Sequence, residues 1–181
     1  MLKTLLQGLR SPLTETRPRP DPALAALASR LDGAARRTLG RSLSIRQVDA
    51  GSCNGCELEI HALNNAFYDL EHYGLRFVAS PRHADVLLVT GPVTRNMAEA
   101  LERTWRATPD PKWVVAVGDC AADGHVFADS DAVMGGVAAV VPVNLVLRGC
   151  PPTPAQLLRG LLALIEAGSN QPLDGGRPAR P

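Results

Sequence analysis

Ala84-Asp85-Val86-Leu87-Leu88-Val89-Thr90-Gly91-Pro92 is the stretch that decides the fold. Residues 84–90 are apolar nearly throughout, without the polar alternation of a half-solvated strand, as expected for a strand covered on both faces. Gly91-Pro92 then stops it. Outward from this strand, residues 43–49, 75–79, 113–118 and 141–147 read as four further strands. Helices are expected between them and after them. One spans about Glu57 to Glu71, with Leu58, Leu63, Ala66, Phe67 and Leu70 as candidate core residues. A second starts near Asn96, whose spacing to Glu99 fits a capping box, and runs to about Arg106. A last helix opens at Thr153-Pro154, with apolar residues at 157, 158, 161, 162, 164 and 165. Strands alternating with helices imply an α/β domain with a mostly parallel sheet and right-handed crossovers.

Ahead of this domain, Pro12, Pro18, Pro20 and Pro22 make residues 10–22 an extended linker, after a short amphipathic stretch at Met1–Leu9. Asp21 then caps a helix with Pro22 at its first position, continuing to about Leu39. Its leucines at 24, 27, 31 and 39 form one stripe, which is expected to pack on a neighbour, a separate subunit being one candidate. The division expected is a basic arm over residues 1–42, an α/β domain over 43–167 and a disordered tail over 168–181.

The chain has 181 residues, 45% hydrophobic and 20% charged, enough for one domain with a sizeable core. Aromatic residues are only 4%, so aliphatic side chains must fill that core. No run approaches the roughly 18 apolar residues of a membrane-spanning helix. The first residues lack the apolar region and cleavage site of a signal peptide, so a cytoplasmic location is expected. Net charge is +1, but residues 1–42 carry eight Lys/Arg against three acids. That arm suits an acidic partner subunit, anionic lipid or plain solvation. Nucleic acid is not an expected partner, because the domain as a whole is not basic.

Chemistry concentrates in the cysteines. Gly51-Ser52-Cys53-Asn54-Gly55-Cys56-Glu57 holds two of the four in the chain, and Cys120 and Cys150 close apolar runs much further on. Intervals of 63 and 29 residues look arbitrary along the chain. In a parallel α/β sheet, however, all four follow the carboxyl ends of strands, where such folds bind ligands. Four cysteines in an intracellular chain read as metal ligands or redox thiols before they read as disulfides. A [4Fe–4S] cluster takes four thiolates in Gly-rich surroundings that let backbone N–H groups approach the sulfurs. A structural zinc site also accepts four cysteines, although two complete CxxC pairs are more usual there. A dithiol at Cys53 and Cys56 with two bystander cysteines is the third reading, and four unrelated cysteines the fourth.

The segments GSCNGCELEI, SPRHADVLLVTGPVTRNM, VAVGDC and RGCPPTP resemble the small subunit of [NiFe] hydrogenases of the membrane-bound, energy-converting type. That subunit is in turn similar to the cluster-bearing 20 kDa subunit of respiratory complex I. The likeness covers about residues 43–165. It implies a flavodoxin-like three-layer domain holding one proximal [4Fe–4S] cluster through Cys53, Cys56, Cys120 and Cys150. It also implies a large [NiFe]-type or quinone-reducing subunit, a ferredoxin-like iron–sulfur subunit, and a membrane subunit or lipid surface met by the N-terminal arm. The complex would sit on the inner face of the cell membrane. The CxxC spacing, where complex I has adjacent cysteines, and the lack of further cluster cysteines point to the formate hydrogenlyase group. Asp119, Ala121 and Arg148 depart from the small or proline residues usual beside the ligands.

Around the cysteines, Glu57 is expected to cap its helix or pair across an interface, with a proton-moving role as the sharper reading. His125 is a candidate donor to a cluster sulfur, and Arg148 a charge stabilising a reduced cluster. Arg82 and Asp85 read as a structural pair on the opposite edge. Gly91-Pro92-Val93-Thr94-Arg95 is expected to border the cluster face and touch the large subunit.

Overall fold

The structure is a computed structural model, and it describes residues 21–169. The Met1–Leu9 stretch, most of the proline-rich linker and the last residues of the tail lie outside the described residues.

Five parallel strands form one sheet: β1 (Ser44–Asp49), β2 (Arg76–Phe77), β3 (Val86–Thr90), β4 (Trp113–Val117) and β5 (Leu145–Leu147). Their order is β2-β1-β3-β4-β5, the flavodoxin-like arrangement. Every residue of β3 is buried. Alternate residues of this strand serve two cores: Val86 and Leu88 face one, Leu87 and Val89 the other. β4 divides in the same way, with Val115 and Val117 against Val114 and Ala116. Two-sided burial is thus what the unbroken apolar runs encode.

The first core is closed by α1 (Pro22–Leu39), α2 (Gly55–Ala62) and α5 (Pro154–Ser169). The second is closed by α3 (Arg95–Ala107), by α4 (Asp119–Asp123), and by the segment around Val137 and Val141. In α5 all six apolar positions read from the sequence are buried.

α1 begins as expected, with the Asp21 carboxylate accepting from the Ala23 backbone N–H at 2.8 Å and Pro22 at the first position. It ends at Gly40 in the left-handed region, whose N–H donates to the Arg36 carbonyl at 3.0 Å. Its buried face of Ala28, Leu31, Ala34 and Ala35 does not reach for another subunit. It packs on the chain's own α5, and Arg30 forks onto Glu166 there at 2.9 and 3.0 Å. Residues 22–39 therefore share the core of the domain.

Several local expectations are corrected. α2 ends at Ala62 instead of continuing to Glu71. The Leu63, Asn64 and Asn65 N–H groups turn back to carbonyls three residues earlier, and Asn65 Oδ1 accepts from the Phe67 and Tyr68 N–H groups at 2.9 and 3.0 Å. An asparagine that satisfies the backbone locally in this way competes with helix propagation. Leu63 and Leu70 are buried, but Leu58, Ala66 and Phe67 are exposed. The Asn96–Glu99 capping box does not form; α3 starts at Arg95 after Thr94, whose hydroxyl donates instead to the Ala50 carbonyl at 3.2 Å. β5 is shorter than residues 141–147, and Val141 is buried in the preceding turn. The 121–140 connection carries short 3-10 turns at His125–Phe127 and Val137–Ala139. Asp85 pairs with Arg41, at 2.9 and 2.5 Å, and not with Arg82.

Candidate metal centre

β1 ends at Asp49, and its carboxylate accepts from the N–H groups of Gly51 and Ser52, both at 2.8 Å. The Ser52 hydroxyl accepts from the Asn54 N–H at 3.0 Å. Asn54 takes a left-handed conformation, and the chain then enters α2 at Gly55. These bonds fold the five residues between strand and helix so that Cys53 and Cys56 lie on one tight turn. The turn is braced from β3: a Cβ on Gly91 would come within 2.4 Å of the Ser52 nitrogen, so only glycine lets the two loops meet. The Thr94 N–H also donates to the Ala50 carbonyl, at 2.9 Å. The 91–95 segment thus borders the cysteine loop, as its place after β3 required.

Cys120 and Cys150 come from the neighbouring strand ends. β4 runs into α4 at Asp119, and β5 into the Arg148–Pro152 loop. The two are tied by the Gly118 N–H to the Leu147 carbonyl at 2.8 Å and the Asp119 N–H to the Gly149 carbonyl at 3.0 Å. Gly118 closes the arrangement, since a Cβ there would lie 2.5 Å from Cys56 Sγ. The cysteine from the first strand end therefore abuts the backbone of the fourth.

The thiols share one electrostatic neighbourhood. Burial pushes Cys56 from the ordinary 9.0 up to about 12, and Glu57 and the Cys53, Cys120 and Cys150 thiols add to the rise. Cys120 is also raised, first by burial and then by Cys150, Cys53 and Asp119. All four are free cysteines; Cys53 and Cys150 are exposed, while Cys56 and Cys120 are half-buried. Among the described residues no three His, Cys, Asp or Glu side chains stand in coordinating geometry. The donor set nevertheless fits an iron–sulfur cluster. Four soft thiolates cannot ionise beside one another without a positive centre, and the glycine at 118 leaves the room a side chain would fill.

Of the expectations for the flanking residues, the structure contradicts the helix cap at Glu57. Glu57 is buried, at 4% exposure, and neither carboxylate oxygen has a hydrogen-bond partner among the described residues, so it makes no cap and no ion pair there. Arg148 is already engaged, with Asp123 at 2.7 Å and Asp119 at 3.7 Å. It holds the Asp123 carboxylate below the usual range. His125 is exposed, and its backbone N–H donates to Asp123 at 2.9 Å. Sequence reading missed Gly118 and Asp123. A glycine between an apolar strand and a ligand is a visible signal for the first; the second has none, because its partner is 25 residues away.

The chain matches the family described as NADH ubiquinone oxidoreductase, 20 Kd subunit, over residues 53–164, and it belongs to that family. Among its relatives, formate hydrogenlyase subunit 7 of Escherichia coli is 45% identical over 133 residues, covering 72% of this chain and 52% of that protein. The chain thus spans about half the length of this relative. A probable membrane-bound hydrogenase subunit, mbhJ, of Pyrococcus furiosus is 44% identical over 128 residues, covering 71% of this chain and 77% of that one. Among solved structures, a chain of an archaeal membrane-bound sulfane sulfur reductase, a respiratory membrane complex, superimposes with a TM-score of 0.64 at 33% identity. That match covers 78% of this chain and 76% of the other. A chain of an NAD+-reducing [NiFe]-hydrogenase shares the fold, with a TM-score of 0.56 at 21% identity over 76% of this chain and 99% of that one.

Proposed function

We propose that this chain is the electron-relay subunit of a membrane-associated [NiFe]-hydrogenase-type complex, holding one [4Fe–4S] cluster through Cys53, Cys56, Cys120 and Cys150. The observation that carries the reading is the meeting of cysteines from three strand ends in one neighbourhood, where the other thiols add to the rise of Cys56 and Cys120. The names of the relatives support the partner class. A bound cluster would supply one-electron exchange, and in this reading the bond chemistry belongs to the large subunit.

What the protein's own residues do is hold and present. Asp49 and Ser52 fix the first cysteine loop, Gly91 and Gly118 let the loops close on one another, and the shared carbonyl bonds at residues 147–149 hold Cys120 near Cys150. The exposed pair, Cys53 and Cys150, opens the site on one side. Segments leaving the same strand ends carry exposed Leu58, Val126, Phe127 and Met134. Apolar side chains on that edge suit a large subunit covering the site. No helix among the described residues is long and apolar enough to cross a membrane; partner subunits or the basic residues before 42 are the attachment this reading expects. In this reading the complex lies on the inner face of the cell membrane.

A complex-I-like complex with a quinone-reducing large subunit is the second reading, favoured by the family match itself. Two CxxC motifs in the co-purifying large subunit select the hydrogenase, and their absence selects the quinone-reducing partner. Anaerobic isolation of the complex tests the cluster: about four irons for this chain and broad visible absorbance are expected. A colourless subunit with stoichiometric zinc would establish a zinc-stabilised scaffold instead.

A further inference from the structure

We infer that Arg148, clasped between Asp119 and Asp123, is a positioning residue that holds the Cys150 loop against the Cys120 helix and offsets the two carboxylates beside the site. The inference rests on the cluster reading above. Arg148 lies two residues before Cys150, and Asp119 immediately precedes Cys120. Its Nη1 reaches Asp123 Oδ2 at 2.7 Å and Asp119 Oδ1 at 3.7 Å. Asp119 Oδ1 also accepts from the Gly149 N–H at 3.2 Å, and Asp123 Oδ1 from the His125 N–H at 2.9 Å. One guanidinium therefore bridges both ends of α4 to the loop of the fourth cysteine. Three kinds of link join the same two segments: ion pairs, a carboxylate–amide bond and a backbone bond.

Charge decides the second part of the role. Two carboxylates and one guanidinium leave a net −1 beside a site that gains negative charge when it takes up an electron. Free carboxylates would disfavour that reduction, and the arginine cancels one of them. Taking away Arg148 leaves −2, taking away Asp123 leaves zero, and taking away both restores −1. The Arg148 side chain is 60% exposed, so solvent moderates the effect. A change of about two- to tenfold in the reduction equilibrium is expected, tenfold being about 59 mV for one electron.

The test is an EPR-monitored redox titration of the complete complex, with iron per chain measured first. Arg148→Gln should lower the midpoint and Asp123→Asn should raise it. The double variant should return near the parent, and Arg148→Lys should stay near it, all with full iron. Full iron with shifts below twofold, or with both single variants moving the same way, overturns the inference. Iron lost in Arg148→Gln but kept in Arg148→Lys supports the clasp; iron lost equally in both overturns it. Absence of iron from the parent complex refutes the cluster reading itself, which separates the two failures.

Discussion

Gly118 stands against the thiol of Cys56, so closely that a Cβ on residue 118 would lie 2.5 Å from Cys56 Sγ. The backbone at the end of β4 and the second cysteine of the first loop thus share a space that admits no side chain. Gly118 also has φ +92°, in the left-handed region. Gly118→Ala should therefore lose iron from the isolated complex and lower stability by about 1–3 kcal/mol, the usual scale for such backbone strain. Iron analysis and a thermal melt read the two effects. Retained iron with an unchanged melt counts against this contact.

Cys120 separates the cluster reading from a simple dithiol. Cys120→Ser removes one thiolate of four in the first case and a bystander in the second. The expected result is loss of the cluster's EPR signal and visible absorbance with the fold retained by circular dichroism. A variant that keeps the parent spectrum assigns the chemistry to Cys53 and Cys56 alone.

The raised thiols give the metal-free protein a pH dependence of defined sign. Cys56 rises from 9.0 in an ordinary setting to about 12 when folded, so the folded state favours the neutral thiol. Its contribution to stability is complete below the unfolded value and is lost as pH climbs from about 9 toward 12. Denaturant melts of the metal-free chain should show this alkaline loss, and Cys56→Ser should flatten it. Cluster assembly must remove the same protons, so reconstitution should improve as pH is raised within the range where the chain stays folded.

Arg41 and Asp85 offer a control far from the cysteines. The Asp85 side chain is 4% exposed and is held by Arg41 and by the Ser44 N–H at 2.9 Å, at the amino-terminal edge of the sheet. Arg41→Ala leaves a buried carboxylate with part of its bonding gone, at a cost of about 1–3 kcal/mol. A lowered melting temperature with iron per chain unchanged is expected. Loss of iron in step with stability would tie the site to the whole fold and not to its own loops.

The sequence by itself determined the sheet and the placing of the cysteines. Unbroken runs such as Val86–Val89 can be satisfied only between two cores, and a chain of such strands and crossovers puts Cys53, Cys56, Cys120 and Cys150 on one edge. Helix α5 was equally legible, because its apolar positions repeat at helical spacing. Tertiary structure decided what depends on partners distant in the chain. α1 covers its own domain through α5, and Asp85 takes Arg41 across 44 residues where the nearer Arg82 had been expected. Asn65 stops α2 eight residues after it begins, and Glu57 is enclosed without a hydrogen-bond partner among the described residues. Burial patterns repeat along the chain and can be read from it. Ion pairs and close approaches such as Gly118 against Cys56 depend on distances in space, and only the folded chain sets those.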